Sequence, residues 1–325
     1  MIAYLLRRLL YAVPLLIGVN VLTFVLFFVV NSPDDMARMH LGQKHVTAEA
    51  IAKWKHERGY DLPLLWNEGQ AGLEKLEKTI FFEKSIRLMR FDFGSSDTGR
   101  DIGADIAERM WPSLAISLPA LLAGLLTNIT LALGVVFLRQ SPLEFAAMVG
   151  CVALMSVSLL FYIIGGQFLF ARLLQLVPIS GWDGGTDSVR FLILPVVISV
   201  VSGIGSGVRW YRSLFLEEVE KDYVRTARAK GLSEARVLFG HVLRNALIPI
   251  LTGVVVVIPL LFMGSLLMES FFAIPGLGSY TIEAISRQDF AVVRAMVYLG
   301  SALYVLGLLL TDISYTLVDP RVRLS

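Results

Sequence analysis

Between Asp222 and Leu232 the chain reads DYVRTARAKGL, which gathers Asp222, Tyr223, Arg225, Thr226, Arg228 and Lys230 into one short polar cassette. On either side lie long apolar runs, LPVVISVVSGIGSGV before it and ALIPILTGVVVVIPLLFMGSLL after it. A basic, small-residue helix in such a position suits binding chemistry: charge-assisted hydrogen bonds at its rim, close approach at its alanines. It does not suit catalysis, because no nucleophile stands beside a base. Elsewhere the candidates are sparse. The four histidines are His40, His45, His56 and His241, and only the 40–56 stretch gathers more than one of them. That stretch is rich in charge and lacks cysteine, so no metal ligand set is assigned. Glu269 and Asp312 are acids within or beside apolar runs, where a carboxylate is costly and often functional. No G-x-x-x-x-G-K-[ST] phosphate loop, HExxH helix or nucleophile elbow occurs, so neither ATP hydrolysis nor other enzyme chemistry is assigned to this chain.

The elements that must carry these residues follow from the hydropathy pattern. Of 325 residues, 55% are hydrophobic and 17% charged, against about 25% charged in soluble domains. The apolar residues collect in runs of about 20 or more, enough to cross roughly 30 Å of hydrocarbon. The fold class is therefore all-α, a polytopic membrane protein. Six spans fit, at about 9–30, 113–138, 145–170, 190–214, 246–269 and 293–316. The first is read as a retained span, since it is too long for a signal-peptide core and no small-x-small cleavage site follows. Cys151 lies within an apolar run and reads as a small packing residue.

Short-loop basic residues set the orientation. Arg7 and Arg8 precede the first span, Arg139 follows the second, a cluster from Arg209 to Arg244 lies between the fourth and fifth, and Arg321 and Arg323 end the chain. Six spans put all four places on one side, so both termini and the DYVRTARAKGL loop are expected in the cytoplasm. Four regions result: a first segment and span at 1–30, an outer segment at 31–112, a core of five spans at 113–316 with its inner loop at 217–245, and a tail at 317–325. In the outer segment, VTAEAIAKWKHERGYD and NEGQAGLEKLEKTIFFEKSIRLMRF both have helical patterning. The second places Leu73, Leu76, Ile80 and Phe81 where they could face a partner or rest on the bundle. Asp101 can cap the helix that leads into the second span.

Within the inner loop, Gly231 is a stop signal for a helix ending at Lys230, and Ser233 is a fair N-cap for the next one. The pattern is helix, glycine corner, helix, with Val224, Ala227 and Ala229 as a small-residue face. Two readings stay open on these grounds: a basic loop at anionic lipid headgroups, or a docking element for a cytoplasmic protein. Glu269 closes the fifth span and could hold the turn Pro275-Gly276-Leu277-Gly278. Asp312 is read as structural, near the cytoplasmic end of its helix, paired with Arg321 or Arg323 or reaching water.

DYVRTARAKGL with HVLRNALIP resembles the coupling loop of ABC-importer permeases of the dipeptide and oligopeptide family. LLRRLLYAVPLLIGVNVLTF, FDFGSS, IAERMWPSLAISL, ESFFAIPGLGSYTIEAISRQDF and DISYTLVDPRVR resemble further parts of it, in the right order along nearly the whole chain. The resemblance implies a type I ABC importer transmembrane fold with six spans and a cytoplasmic coupling helix. Coupling to an ATPase would fall on Asp222, Tyr223, Arg225, Thr226, Ala227, Ala229, Lys230 and Gly231. An outer gate region would include Glu269, Pro275, Gly276 and Gly278. Implied partners are a second, homologous permease, two ABC ATPases that hold ATP and magnesium, a periplasmic or lipid-anchored substrate-binding protein, and membrane lipids, with no nucleic acid. The chain itself would bind no cofactor. It would sit in the bacterial cytoplasmic (inner) membrane and form half of a pathway for di- or oligopeptides, with nickel or a metal chelate (a metallophore complex) as the alternative cargo. There are departures: Arg225 stands where the general permease loop has Glu, as in peptide-type members; SVSLLF lacks an expected proline; RQSPLEF is short; and 40–90 matches no part of the family pattern.

Overall fold

A computed structural model describes residues 2–42, 46–185 and 188–318. His45, Arg321, Arg323 and the tail from residue 319 onward lie outside the described residues, and so does the expected pairing of Asp312 with the terminal arginines. Among the described residues the chain is helical throughout, with only an isolated bridge between Ser95 and Asp101. Five helical stretches are long and apolar enough to cross a membrane: Leu10–Val30, Ile102–Phe137, Val189–Val219, Glu234–Phe271 and Phe290–Ser314. Pro142–Met155 and Leu159–Leu173 reach that length and apolarity only as a pair, which is bent by 88° in place of the continuous third span expected at 145–170.

The chain forms two compact units. The first runs up to Arg109 and adds Tyr280–Leu309. It opens with α1 (Ile2–Phe24), which widens into a π-helical turn at Val25–Val30. Helix α2 (Pro33–Leu41) starts at a reciprocal capping box between Ser32 and Asp35. Helix α3 (Ala48–Arg58) is capped by the Thr47 hydroxyl and ends at Gly59, which takes the left-handed conformation at φ +65°. Phe24, Phe28, Met36, Trp54, Tyr60 and Ile80 form its core. Phe28 and Trp54 both stack against Tyr60, at 5.3 and 5.5 Å between ring centroids.

The second patterned stretch of the outer segment is not one helix. It is broken into α4 (Glu74–Glu77), a π-helical turn at Phe82–Ile86 and α5 (Arg87–Met89). The backbone donors there turn sideways instead: Asn67 N to Lys75 O at 2.9 Å, Ile80 N to Pro63 O and Phe81 N to Leu64 O at 3.0 Å. These pairings divide the expected apolar face. Ile80 is only 1% exposed and belongs to the core, while Leu73 is 76% exposed and Leu76 lies outside with it.

Helix α6 (Ile102–Phe137) joins the two units by chain continuity. It begins at the cap expected from the sequence: Asp101 Oδ1 accepts the Ala104 amide at 2.7 Å, and the helix runs on without a break through the span expected from 113. The second unit comprises Met110–Ser279 and the chain from Leu310 on. It holds α7 (Pro142–Met155), α8 (Leu159–Gly166) with its π-helical extension to Leu173, and α9 (Val189–Val219). The bend between α7 and α8 occurs without a proline. Ser156 Oγ donates back to Val152 O at 2.9 Å, beside the Ser156 amide, and Tyr162 Oη reaches across the break to Leu154 O at 2.8 Å. Helix α9 packs along α7 through Gly205: a Cβ there would meet Cys151 O at 2.5 Å. Cys151 is buried and free, a packing residue as its setting suggested.

The rest of the second unit is α10 (Asp222–Ala229), α11 (Glu234–Val237), a π-helical turn to Val242, α12 (Leu243–Val257), a 3₁₀ turn at Pro259–Met263 and α13 (Leu266–Phe271). The fifth span is thus longer than 246–269 and interrupted near its end. Helix α14 (Leu277–Arg287) and helix α15 (Phe290–Val318) follow.

Candidate functional site

Two corners of the second unit hold the residues singled out above. The first follows α9. Glu218 is buried at the end of α9 and accepts from Lys221 Nζ and, at 2.7 Å, from Tyr223 Oη. Burial, with that acceptor, holds the Tyr223 phenol up to about 12, so it remains a donor. Helix α10 then runs outward for two turns, with Thr226 Oγ1 donating back to Asp222 O at 3.0 Å and Arg225 Nη1 within 3.4 Å of Asp222 Oδ1.

The stop after α10 has the hydrogen bonds of a Schellman motif. Gly231 sits at φ +76°, its amide donates to Arg228 O at 2.9 Å, and the Leu232 amide reaches Ala227 O at 3.4 Å. Arg228 bridges the corner, donating through Nε and Nη2 to the two carboxylate oxygens of Glu234 at 3.0 and 2.7 Å. This fork holds the guanidinium firmly in its charged form. Ser233 occupies the N-cap position of α11, as its place in the sequence suggested, but its hydroxyl makes no capping bond.

The small-residue face of α10 is divided. Val224 and Ala227 turn inward, Ala227 being 5% exposed, and pack in a cluster with Leu133 and Val136 of α6, Phe215 and Val219 of α9, and Val237 and Val242 beyond the corner. Ala229 is exposed together with Asp222, Arg225, Thr226 and Lys230. Residues at i, i+3, i+4 and i+7 share a helix face, so this outward surface is continuous. Ala227 brings α10 close to the body of the same chain, and Ala229 is the alanine that a partner can reach.

The second corner interrupts the fifth span. Pro259 ends α12, Gly264 turns the chain at φ +66°, and α13 follows. Glu269 in α13 is 0% exposed. Its Oε1 accepts from Ser113 Oγ at 2.8 Å and from the Ser265 amide at 3.2 Å, and its Oε2 accepts from the Ser279 amide at 2.9 Å. Ser113 Oγ in turn accepts the Leu277 amide at 2.8 Å. Glu269 therefore holds the Pro275–Gly278 turn, as its position suggested, and does so from below. Pro275 is exposed, while Gly276 and Gly278 are buried. A Cβ on Gly276 would meet Ser113 Oγ at 2.5 Å, and one on Gly278 would meet the Ser265 carbonyl carbon at 2.6 Å. Here the glycines are required by space. Ser113 escaped the sequence reading. Its position one residue after Pro112, at the start of an apolar run, carried no sign of a partner 156 residues away.

The Ser113 hydroxyl bonded to Glu269 is sealed from solvent, both residues being 0% exposed, and no group of three His, Cys, Asp or Glu side chains suited to a metal occurs among the described residues. One corner is a presented surface and the other a sealed latch. Residues 128–324 match the family described as binding-protein-dependent transport system inner membrane component, and residues 1–70 match the N-terminal part of such membrane components, which corrects the expectation that 40–90 lies wholly outside the family pattern. The chain is 32% identical to the di/tripeptide transport system permease protein DppB of Pseudomonas aeruginosa, over 99% of each chain. It is 31% identical to the dipeptide transport system permease protein DppB of Bacillus subtilis, over 100% of this chain and 99% of that one. It is 30% identical to the glutathione transport system permease protein GsiC of Salmonella choleraesuis, over 99% of each. With its apolar helices and its two corners, the chain belongs to the family of binding-protein-dependent transport system inner membrane components, the permease subunits of ABC importers.

Proposed function

We propose that this permease carries short peptides across the bacterial cytoplasmic membrane, as one half of a pathway completed by a second, homologous permease. The relatives' names speak for peptides: a di/tripeptide, a dipeptide and a glutathione permease align along essentially the whole chain. Two cytoplasmic ABC ATPases, holding ATP and magnesium, drive the cycle, and a substrate-binding protein delivers the peptide from outside. Both termini and the α10 corner lie in the cytoplasm, in line with the basic residues that surround them.

The observation that carries this reading is the construction of the α10 corner. Its inner face is fixed to the chain's own core, and its outer face, Asp222, Arg225, Thr226, Ala229 and Lys230, is left for a partner. In this reading an ATPase cleft receives that face, and closure of the two ATPases moves the corner. The Glu269 corner, with Pro275, Gly276 and Gly278, forms part of the outer gate, and exposed Leu73 and Leu76 contribute to the seat of the binding protein.

A tagged full-length chain, purified in mild detergent and examined by mass spectrometry, tests the assembly. A second permease and two phosphate-loop ATPases should accompany it, and Ala229→Glu should release the ATPases while the second permease stays. Recovery of the chain alone or as a homo-oligomer would overturn the reading. Uptake by the reconstituted complex, with peptides and nickel chelates in parallel, decides the cargo.

A further inference from the structure

The first unit contains a cavity of about 620 Å³ that none of the roles above uses. It lies between the outer segment and the start of α15, and its wall is charged. Four cations line it: Arg58, Lys84, Arg87 and Arg294. Four acids line it too: Glu57, Glu83, Asp92 and Asp97. The balance is even, but the pairing is not. Arg58 Nε is bound to Asp97 Oδ1 at 2.7 Å, and Glu57 lies 3.9 Å from Arg58 and 4.0 Å from Lys53. Among the described residues, Lys84, Arg87 and Arg294 have no carboxylate at ion-pair distance, and Glu83 and Asp92 have no cation there.

Arg294 is the informative member. It is 6% exposed, sits with its guanidinium carbon 4.8 Å from the centre of the Phe28 ring, and donates through Nε to Phe290 O at 3.4 Å. Its acidic neighbour Asp289 accepts the Asp97 amide at 2.8 Å and the Val292 amide at 3.2 Å, and acts on Arg294 only across a distance, while the Tyr60 hydroxyl bonds the guanidinium directly. A guanidinium at such low exposure, with no carboxylate at ion-pair distance, is costly and can still take an anion. Lys84 is beside it, 5.4 Å from the Tyr60 ring centre, and burial followed by repulsion from Arg294 lowers its affinity for its proton. Gly59 leaves room at the wall. A Cβ there would lie 3.5 Å from Glu83 Oε2 and 3.7 Å from Lys84 Nζ, so an acid and a base converge on the same part of the wall.

The geometry points to a binding site for a small zwitterion in this cavity, its carboxylate taken by Lys84 and Arg294 and its ammonium group by Glu83 and Asp92. The volume lies within the range of small-molecule sites. Four acids in the wall disfavour a polyanion, and four bases disfavour a polycation. A dipeptide is the zwitterion to try first, a choice that rests on the peptide reading above; the site itself does not depend on it.

The test is calorimetric titration of the full-length chain in lipid nanodiscs at pH 7 with alanyl-alanine, its C-terminal amide, its N-acetyl derivative and inorganic phosphate. Alanyl-alanine should bind, and both blocked forms should bind at least tenfold more weakly. Lys84→Gln should weaken alanyl-alanine and the N-acetyl form at least tenfold and leave the amide unchanged. Glu83→Gln should weaken alanyl-alanine and the amide and leave the N-acetyl form unchanged. If one variant does not fold, the other carries the test. Absence of binding by any probe, equal binding of all forms, tighter binding of phosphate, or variants that bind as the parent does would each overturn the site. Uptake by the assembled transporter is read separately. Binding without peptide uptake would sink the peptide reading alone, and uptake without binding would sink the site alone.

Discussion

The two corners of the second unit both turn at a glycine of positive φ, yet they use it differently. At Gly231 a Cβ would meet nothing within 4 Å, so the residue is needed only for its backbone angle. At Gly264, Gly276 and Gly278 a Cβ would strike Glu269, Ser113 or the Ser265 backbone, so the hydrogen atom is needed for space. The first corner is packed below and open above. The second is filled on the inside by a carboxylate and three donors. The open corner leaves room beside its glycine, and the latched corner leaves none.

This contrast can be attacked by substitution, the heaviest blow being Glu269→Ala. It leaves Ser113 Oγ and the Ser265 and Ser279 amides without their acceptor. With about 1–3 kcal/mol for each buried unsatisfied group, the loss should prevent recovery of a monodisperse complex in mild detergent. A parent-like elution profile and melting temperature would show that Glu269 is not the latch. Gly276→Ala comes next, at about 1–3 kcal/mol from overpacking. Because its Cβ would press on the same carboxylate, a double-mutant cycle with Glu269→Gln should show coupling of at least about 0.5 kcal/mol. Strict additivity would separate the glycine from the latch.

At the open corner the two alanines should part company. Ala227→Glu buries a charge in the core and should lower the melting temperature by several degrees, whereas Ala229→Glu should leave melting unchanged and abolish stimulation of the ATPases. If both variants only melt early, the outward face has no docking role. Gly231→Ala should cost about 1–2 kcal/mol, the penalty of a left-handed alanine, with no steric addition.

The smallest effect lies in the first unit, where His56 Nδ1 and Asp61 Oδ2 are 2.7 Å apart on the surface. The bond to Asp61 raises the His56 pKa above 6.5 and lowers the Asp61 pKa below 3.8. The histidine's contribution is full below 6.5 and fades as pH rises through its raised value. The aspartate's is full above 3.8 and fades as pH falls through its lowered value. Melting temperature should therefore show a shallow plateau between those limits that is absent in His56→Ala, and a flat difference between the two proteins would remove the pair from consideration.

Much of this architecture is readable from residue types. Apolar runs of about twenty residues locate five of the six expected spans as long helices, the third being a pair bent by 88°, and the Gly231 corner is readable because its determinants are local. Glu269 is readable as the support of the Pro275–Gly278 turn because the two lie within ten residues. Ser113 is not, since its role depends on an approach between distant segments. The bend at Ser156–Ser158 has no proline to announce it, and the bond from Tyr162 to the Leu154 carbonyl forms only once the chain has turned. The division of α10 into Ala227 inside and Ala229 outside also needed packing, because two alanines two residues apart look alike until a neighbouring helix chooses one. Arg294 was absorbed into an apolar span, and only the cavity beside it shows what its charge faces.

The fork between Arg228 and Glu234 has a mechanical consequence. A glycine corner left to itself is a hinge, and a hinge dissipates any load applied to one arm by folding. Here two hydrogen bonds at 3.0 and 2.7 Å span the bend, and the apolar cluster grips both arms from within. The elbow is thereby braced like a bracket, with little slack. A displacement applied to α10 would therefore be passed through the corner towards α12 and not absorbed by the bend.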